Sequence, residues 1–160
     1  MKKQRSGEVI YAPSDLVRYV ASPFASWMDR YHLENPDAIT PDEVTEDAKL
    51  IAQTGEEHEQ AVLRELKSSP GQVIEIPTHD FAVARAQTLA AIHTKAGVIY
   101  QAALGNDQFA GFADFLMLDG CGRYQVWDTK LAHSPKPYYA IQLCCYSDLL
   151  AEMTGAPVSE

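Results

Sequence analysis

The chain has 160 residues, 46% of them hydrophobic and 22% charged, with a formal charge of −9. That composition suits one globular domain spanning 1–160 with a real core, and argues against extended disorder. The acidic balance argues against a protein that coats nucleic acid, because phosphate binding draws on Lys and Arg. It leaves room for an enzyme whose carboxylates hold a divalent cation, or for a fragment whose basic surface lies on another domain.

In chain order, Ser14-Asp15 can cap a helix that continues through Leu16, Val17, Val20 and Trp27 to about Arg30, kinked at Pro23. Thr40-Pro41-Asp42-Glu43 reads as a capping box with Pro at the first helical position, starting a long helix that runs to about Lys67. On it Val44, Ala48, Ile51, Gly55, His58, Val62 and Leu66 recur at spacings of three and four, which predicts one buried stripe with His58 inside it. Ser68-Ser69-Pro70-Gly71 is a turn, Val73 to Ile76 a short strand, and Phe81 to about Lys95 a helix ended by Gly97. Strands follow over Val98 to Leu104, Phe109 to Leu118 and Arg123 to Leu131, the last two joined by a hairpin at Asp119-Gly120-Cys121-Gly122. After Ser134-Pro135-Lys136-Pro137 a final helix carries Tyr139, Gln142, Tyr146, Leu149 and Met153 on one face and stops near Gly155. This order predicts an α/β (α+β) fold with a central mixed β-sheet flanked by helices.

Period-two alternation puts Phe112, Asp114, Leu116 and Leu118 on one face of their strand, and Tyr124, Val126, Asp128 and Lys130 on one face of the next. A hairpin centred on Cys121 sets Asp114 opposite Asp128, with Cβ atoms about 4.5–5.5 Å apart. Two carboxylates that close repel, and burying them requires a compensating cation or proton. A hard divalent ion, Mg²⁺ or Mn²⁺, meets that need, with the Lys130 ammonium placed to offset charge on a water or a phosphate. Taken alone, Asp128 and Lys130 read equally as a surface ion pair on a solvated edge.

His58 reads either as a core histidine satisfied by a hydrogen bond or as a ligand reaching the carboxylates. Gly55 one turn earlier predicts close approach of another backbone, because a mid-helix Gly costs about 1 kcal/mol relative to Ala. Glu59 points off the stripe, into solvent or behind the site, and Glu56 and Glu57 are expected to be solvated. Gln142 and Tyr146 share a helix face and suit either the core or the support of Lys130 and substrate. Tyr138 and Tyr139 can stack on bases or fill an interface. Cys121, Cys144 and Cys145 form neither a disulfide framework nor a zinc site, and are expected to be buried as small hydrophobes.

Taken together, Gly55-Glu56-Glu57-His58, Gly111-Phe112-Ala113-Asp114, Asp128-Thr129-Lys130 and Gln142-Leu143-Cys144-Cys145-Tyr146 resemble four motifs of the RecB-like branch of the PD-(D/E)XK nuclease superfamily. Tyr11-Ala12-Pro13-Ser14-Asp15-Leu16 and Ser22-Pro23-Phe24-Ala25-Ser26-Trp27 also resemble the start of RecB-type nuclease domains found beside helicase-like regions. The resemblance implies a restriction-endonuclease-like core in which His58, Asp114, Asp128 and the Thr129 carbonyl hold Mg²⁺ or Mn²⁺. In that scheme Lys130 assists an activated water, while Gln142 and Tyr146 complete the site at the DNA strand. Some relatives hold an iron-sulfur cluster through an early Cys and a late Cys trio. Ser22-Pro23 stands at the early position here, so no cluster is expected.

The implied activity is hydrolysis of phosphodiester bonds in single-stranded or duplex DNA, in repair, recombination or defence. The chain ends soon after the Gln-Tyr helix, so the expectation is a domain excised from a larger protein whose helicase-like or other region grips the DNA. Two rivals are a catalytically degenerate nuclease-fold module that binds nucleic acid or docks a partner, and a hydrolase of nucleotides or RNA. The chain holds no apolar run of about 18 residues and no apolar stretch behind Met1-Lys2-Lys3-Gln4-Arg5. A cytoplasmic protein with no membrane partner is therefore expected.

Overall fold

The computed structural model describes residues 1–4, 7–130 and 137–156. Strands β1 (Lys2–Lys3) and β2 (Val9–Ile10) form a small antiparallel pair apart from the main sheet. Helices α1 (Pro13–Ala21) and α2 (Pro23–Glu34) stand where one kinked helix is predicted. The break is at Ser22, whose backbone is extended (φ −159°, ψ 102°) because the ring of Pro23 disfavours a helical predecessor. Ser22 then caps α2 by accepting from the Ala25 N–H at 3.1 Å. The cap of α1 is Ala12 rather than Ser14: the Asp15 carboxylate accepts from the Ala12 N–H at 2.7 Å. Val20 and Trp27 stay exposed, and Trp27 stacks between Phe24 and Tyr31 on the outer side of α2.

Helix α3 (Glu46–Ser68) starts later than the Thr40-Pro41 signal predicts, with Thr45 as cap accepting from the Ala48 N–H at 3.2 Å. An earlier turn would carry Val44, which is 63% exposed and touches no core, so tertiary packing gives it no support. The predicted stripe is likewise buried only in its second half. Val62, Leu63 and Leu66 pack against Val98 and Phe115, whereas Ala48 and Ile51 lie exposed on a segment that runs past the sheet.

The main sheet has four strands in the order β3 (Val73–Glu75), β4 (Val98–Gly105), β5 (Ala110–Leu118), β6 (Tyr124–Trp127). Strands β3 and β4 are parallel, joined through α4 (Phe81–His93), and the other two pairings are antiparallel. The chain is therefore a mixed α/β fold, with its sheet flanked by helices. One side is the larger core, where Ile99, Leu104, Leu116 and Tyr124 meet Ala84 and Ala91 of α4 and Leu149 and Leu150 of α5 (Pro137–Thr154). On the other side α3 covers Val98 and Phe115. The turn predicted at Ser134-Pro135-Lys136 lies outside the described residues.

Helix α4 is closed by Lys95, two residues past its last turn, and not by Gly97. Lys95 takes the left-handed conformation (φ 56°), with the Lys95 and Ala96 N–H groups returning to the Ile92 and Ala91 carbonyls. Its ammonium then donates to the Gly122 carbonyl at 2.8 Å, tying the helix end to the hairpin. Helix α5 does stop at a left-handed Gly155 (φ 63°).

Thr88 of α4 is fully buried, and its hydroxyl accepts from the Ala103 N–H at 3.0 Å while donating to the Ala84 carbonyl at 2.9 Å. Thr88→Val leaves the Ala103 N–H unpaired inside the core. The expected cost is about 2 kcal/mol, or roughly 4–8 °C in Tm for a chain of this length. Thermal denaturation of the variant checks it, and an unchanged Tm would remove this bond from the account of helix–sheet docking.

The cysteines depart from the expectation of burial. Cys121 is exposed at the hairpin tip, Cys144 is exposed on α5, and Cys145 is half-buried. No helix among the described residues is long and apolar enough to cross a membrane.

Candidate functional site

The β5–β6 ladder pairs Leu118 with Tyr124 and Phe115 with Trp127. Carried one pair further, that register sets Asp128 opposite Asp114, as the hairpin reading requires. The ladder itself stops at Trp127 instead of running to Leu131, a residue outside the described part of the chain. Beyond Trp127 the Asp114 side chain takes over from main chain: its Oδ2 accepts from the Thr129 N–H at 3.0 Å and from the Thr129 hydroxyl at 3.3 Å. Thr129 thereby fixes one oxygen of Asp114.

Asp128 is not part of a solvated edge pair. Its side chain is only 8% exposed, and Lys130, at 37%, donates to its Oδ1 at 2.8 Å. Burial pushes the Asp128 carboxyl up and the Lys130 hydrogen bond pulls it back. The Asp114 carboxylate facing it raises it again, to about 6. Two carboxylates thus meet in a half-buried setting, with one ammonium bonded to Asp128.

Asp114 and Lys130, though not Asp128, open on a cleft of about 440 Å³, walled also by Gly55, Glu56 and Glu59 of α3, Thr129 of the hairpin, and Tyr139 of α5. Gly55 departs from its expected role, because a Cβ there would meet nothing within 4 Å. No backbone crosses the helix at that point; the glycine forms an open stretch of wall. His58 is half-buried but does not line this cleft. Glu56 and Glu57 are exposed, as expected.

Glu59 enters the cleft instead. One of its carboxylate oxygens accepts from the Gln101 side-chain amide, and burial followed by the Glu59 carboxylate raises the Tyr100 hydroxyl to about 12. Tyr100 also accepts from Gln60 at 2.8 Å, so β4 and α3 are knitted together beside Asp114. The signal for Glu59 is its spacing from Gly55, one turn on along the same face. No local cue marks Gln101.

Tyr146 is 6% exposed, and its hydroxyl donates to the Phe112 carbonyl at 2.8 Å. Its place is in the core beneath the two aspartates, whose charges add to burial in raising its hydroxyl. It supports β5 from behind and does not open on the cleft. Gln142, one turn earlier, is half-buried.

Among the described residues no three His, Cys, Asp or Glu side chains converge into a metal-binding group. The aspartate pair alone fits a hard divalent cation in donor type, all oxygen, and in charge, because Asp128 is held where an ionised carboxylate lacks full compensation. No family model matches the chain, and comparison with curated proteins and with solved structures finds no match.

Proposed function

We propose that the chain is a metal-dependent deoxyribonuclease domain on a restriction-endonuclease-like core, of the RecB-like type its motifs resemble. One observation carries the reading: a buried aspartate facing a second aspartate across a hairpin, with a lysine on the same strand end. Asp114 and Asp128 would hold Mg²⁺ or Mn²⁺, with α3 supplying the remaining protein ligand. When bound, the ion would supply Lewis acidity at a phosphate oxygen and lower the pKa of a coordinated water.

The chain's own residues do the rest. Thr129 locks Asp114 in its rotamer through two hydrogen bonds. Lys130 brings positive charge to the cleft mouth, where a phosphate oxygen gains negative charge during hydrolysis. Tyr139 lines the same cleft and offers a ring against which a base can stack. The net charge of −9 favours a second region, helicase-like or otherwise, that grips the DNA, with the whole acting in the cytoplasm.

The test is cleavage of single-stranded and duplex DNA with Mn²⁺ and with chelator, using wild type, Asp114→Ala and Lys130→Ala. Cleavage only with Mn²⁺, lost in both variants, is the expected result. Equal rates in wild type and Asp114→Ala would remove the site, and faster turnover of RNA or small phosphodiesters would change the substrate. A docking module without activity has one observation in its favour: Lys130 is already paired with Asp128. Calorimetry with Mn²⁺ separates the two, because such a module has no reason to take up the ion.

A further inference from the structure

Gln101 sits in the middle of β4 yet has φ 55°, a left-handed conformation that costs a non-glycine residue roughly 1–2 kcal/mol. On either side the ladder is regular, with Tyr100 paired to Phe115 and Ala102 to Ala113, so the residue facing the odd one is Asp114. The distortion is therefore centred on the strand position beside the aspartate pair. Its side-chain product is a hydrogen bond from the Gln101 amide to Glu59 across to α3. A left-handed residue in mid-strand persists only where its surroundings over-determine it, and such strain concentrates at functional positions.

We infer that Gln101 is a positioning residue whose turned backbone holds Glu59 in the Asp114 cleft, making Glu59, and not His58, the side chain that α3 contributes to the site. This rests on the metal-dependent reading above. A regular strand residue would place its amide elsewhere and leave Glu59 held by the Tyr100 hydroxyl alone. Asp114, Glu56 and Glu59 line one cleft, Glu56 from its exposed rim and Glu59 half-buried, whereas His58 lies off it.

The experiment compares wild type, Gln101→Gly, Glu59→Gln, the double variant and His58→Ala in two measurements: metal-free Tm, and Mn²⁺ affinity by calorimetry. Gly accepts the left-handed backbone without strain, so Gln101→Gly is expected to keep or raise Tm. It should still weaken Mn²⁺ binding by about 10- to 100-fold, the range for residues that orient a ligand. A purely structural residue would not give greater stability with weaker binding. Glu59→Gln should lose at least as much, the double variant no more than Glu59→Gln, and His58→Ala little. Full affinity in Gln101→Gly, or losses that multiply in the double variant, would overturn the positioning role while leaving the metal-dependent reading intact. A wild type that takes up no Mn²⁺ would overturn both.

Discussion

Asp128→Asn is expected to abolish Mn²⁺-dependent cleavage and, in the same protein, to raise metal-free stability near neutral pH by about 3 kcal/mol. The carboxyl titrates at about 6 in the fold against its ordinary 3.8, with burial as the main cause and Asp114 as a further one. A group whose folded pKa is raised contributes stability that is present below its unfolded pKa and lost as pH rises through the folded value. Above about pH 6 the wild-type fold therefore carries an ionised carboxylate in a place that opposes it. Asn keeps the shape of the neutral form and avoids that cost.

The sign can be followed through denaturant unfolding at several pH values. The advantage of Asp128→Asn should be full above about pH 6, shrink between the two pKa values and vanish below about pH 4, where both side chains are neutral. On the metal-dependent reading, divalent cation should reverse the ranking, because it would stabilise only the protein that binds it. A variant that is less stable than wild type at neutral pH would show that the Lys130 ion pair outweighs burial and the Asp114 charge.

Gly111→Ala should cost about 2–3 kcal/mol, or roughly 4–12 °C in Tm, as an overpacking change at a junction of three elements. A Cβ at Gly111 would lie 2.7 Å from the Tyr146 hydroxyl and 3.0 Å from Cδ of Pro13. Neither neighbour yields easily. Pro13 is a buried ring at the start of α1, and Tyr146 is held in the core by its bond to the Phe112 carbonyl. Tyr146→Phe removes the oxygen in the way, so adding it to Gly111→Ala should recover part of the lost Tm. Gly111→Ala with wild-type stability would mean that α5 slides over β5 at little cost.

What the sequence made legible divides along physical lines. The hairpin and its register were readable because alternation and the Asp-Gly-Cys-Gly turn act over a few neighbouring residues, and together they brought Asp114 and Asp128 face to face. The helix ends were less readable. Thr40-Pro41 carries the local cap signal, but Val44 beyond it finds no core, so the helix begins only at Glu46, with Thr45 as its cap. For the same reason Ala48 and Ile51, in the first half of the predicted stripe, lie exposed, while His58 further along is half-buried. Gln101 was invisible, because glutamine has no preference for the left-handed backbone it takes in mid-strand.

Gly55 has a helical backbone that any residue adopts, and a methyl group there would touch nothing. Ordinary steric reasons for a glycine are missing, and the helix forgoes about 1 kcal/mol by lacking an alanine. What the position supplies is width. The flank of α3 facing Asp114 is left as bare main chain at that point, one methyl wider than alanine would make it.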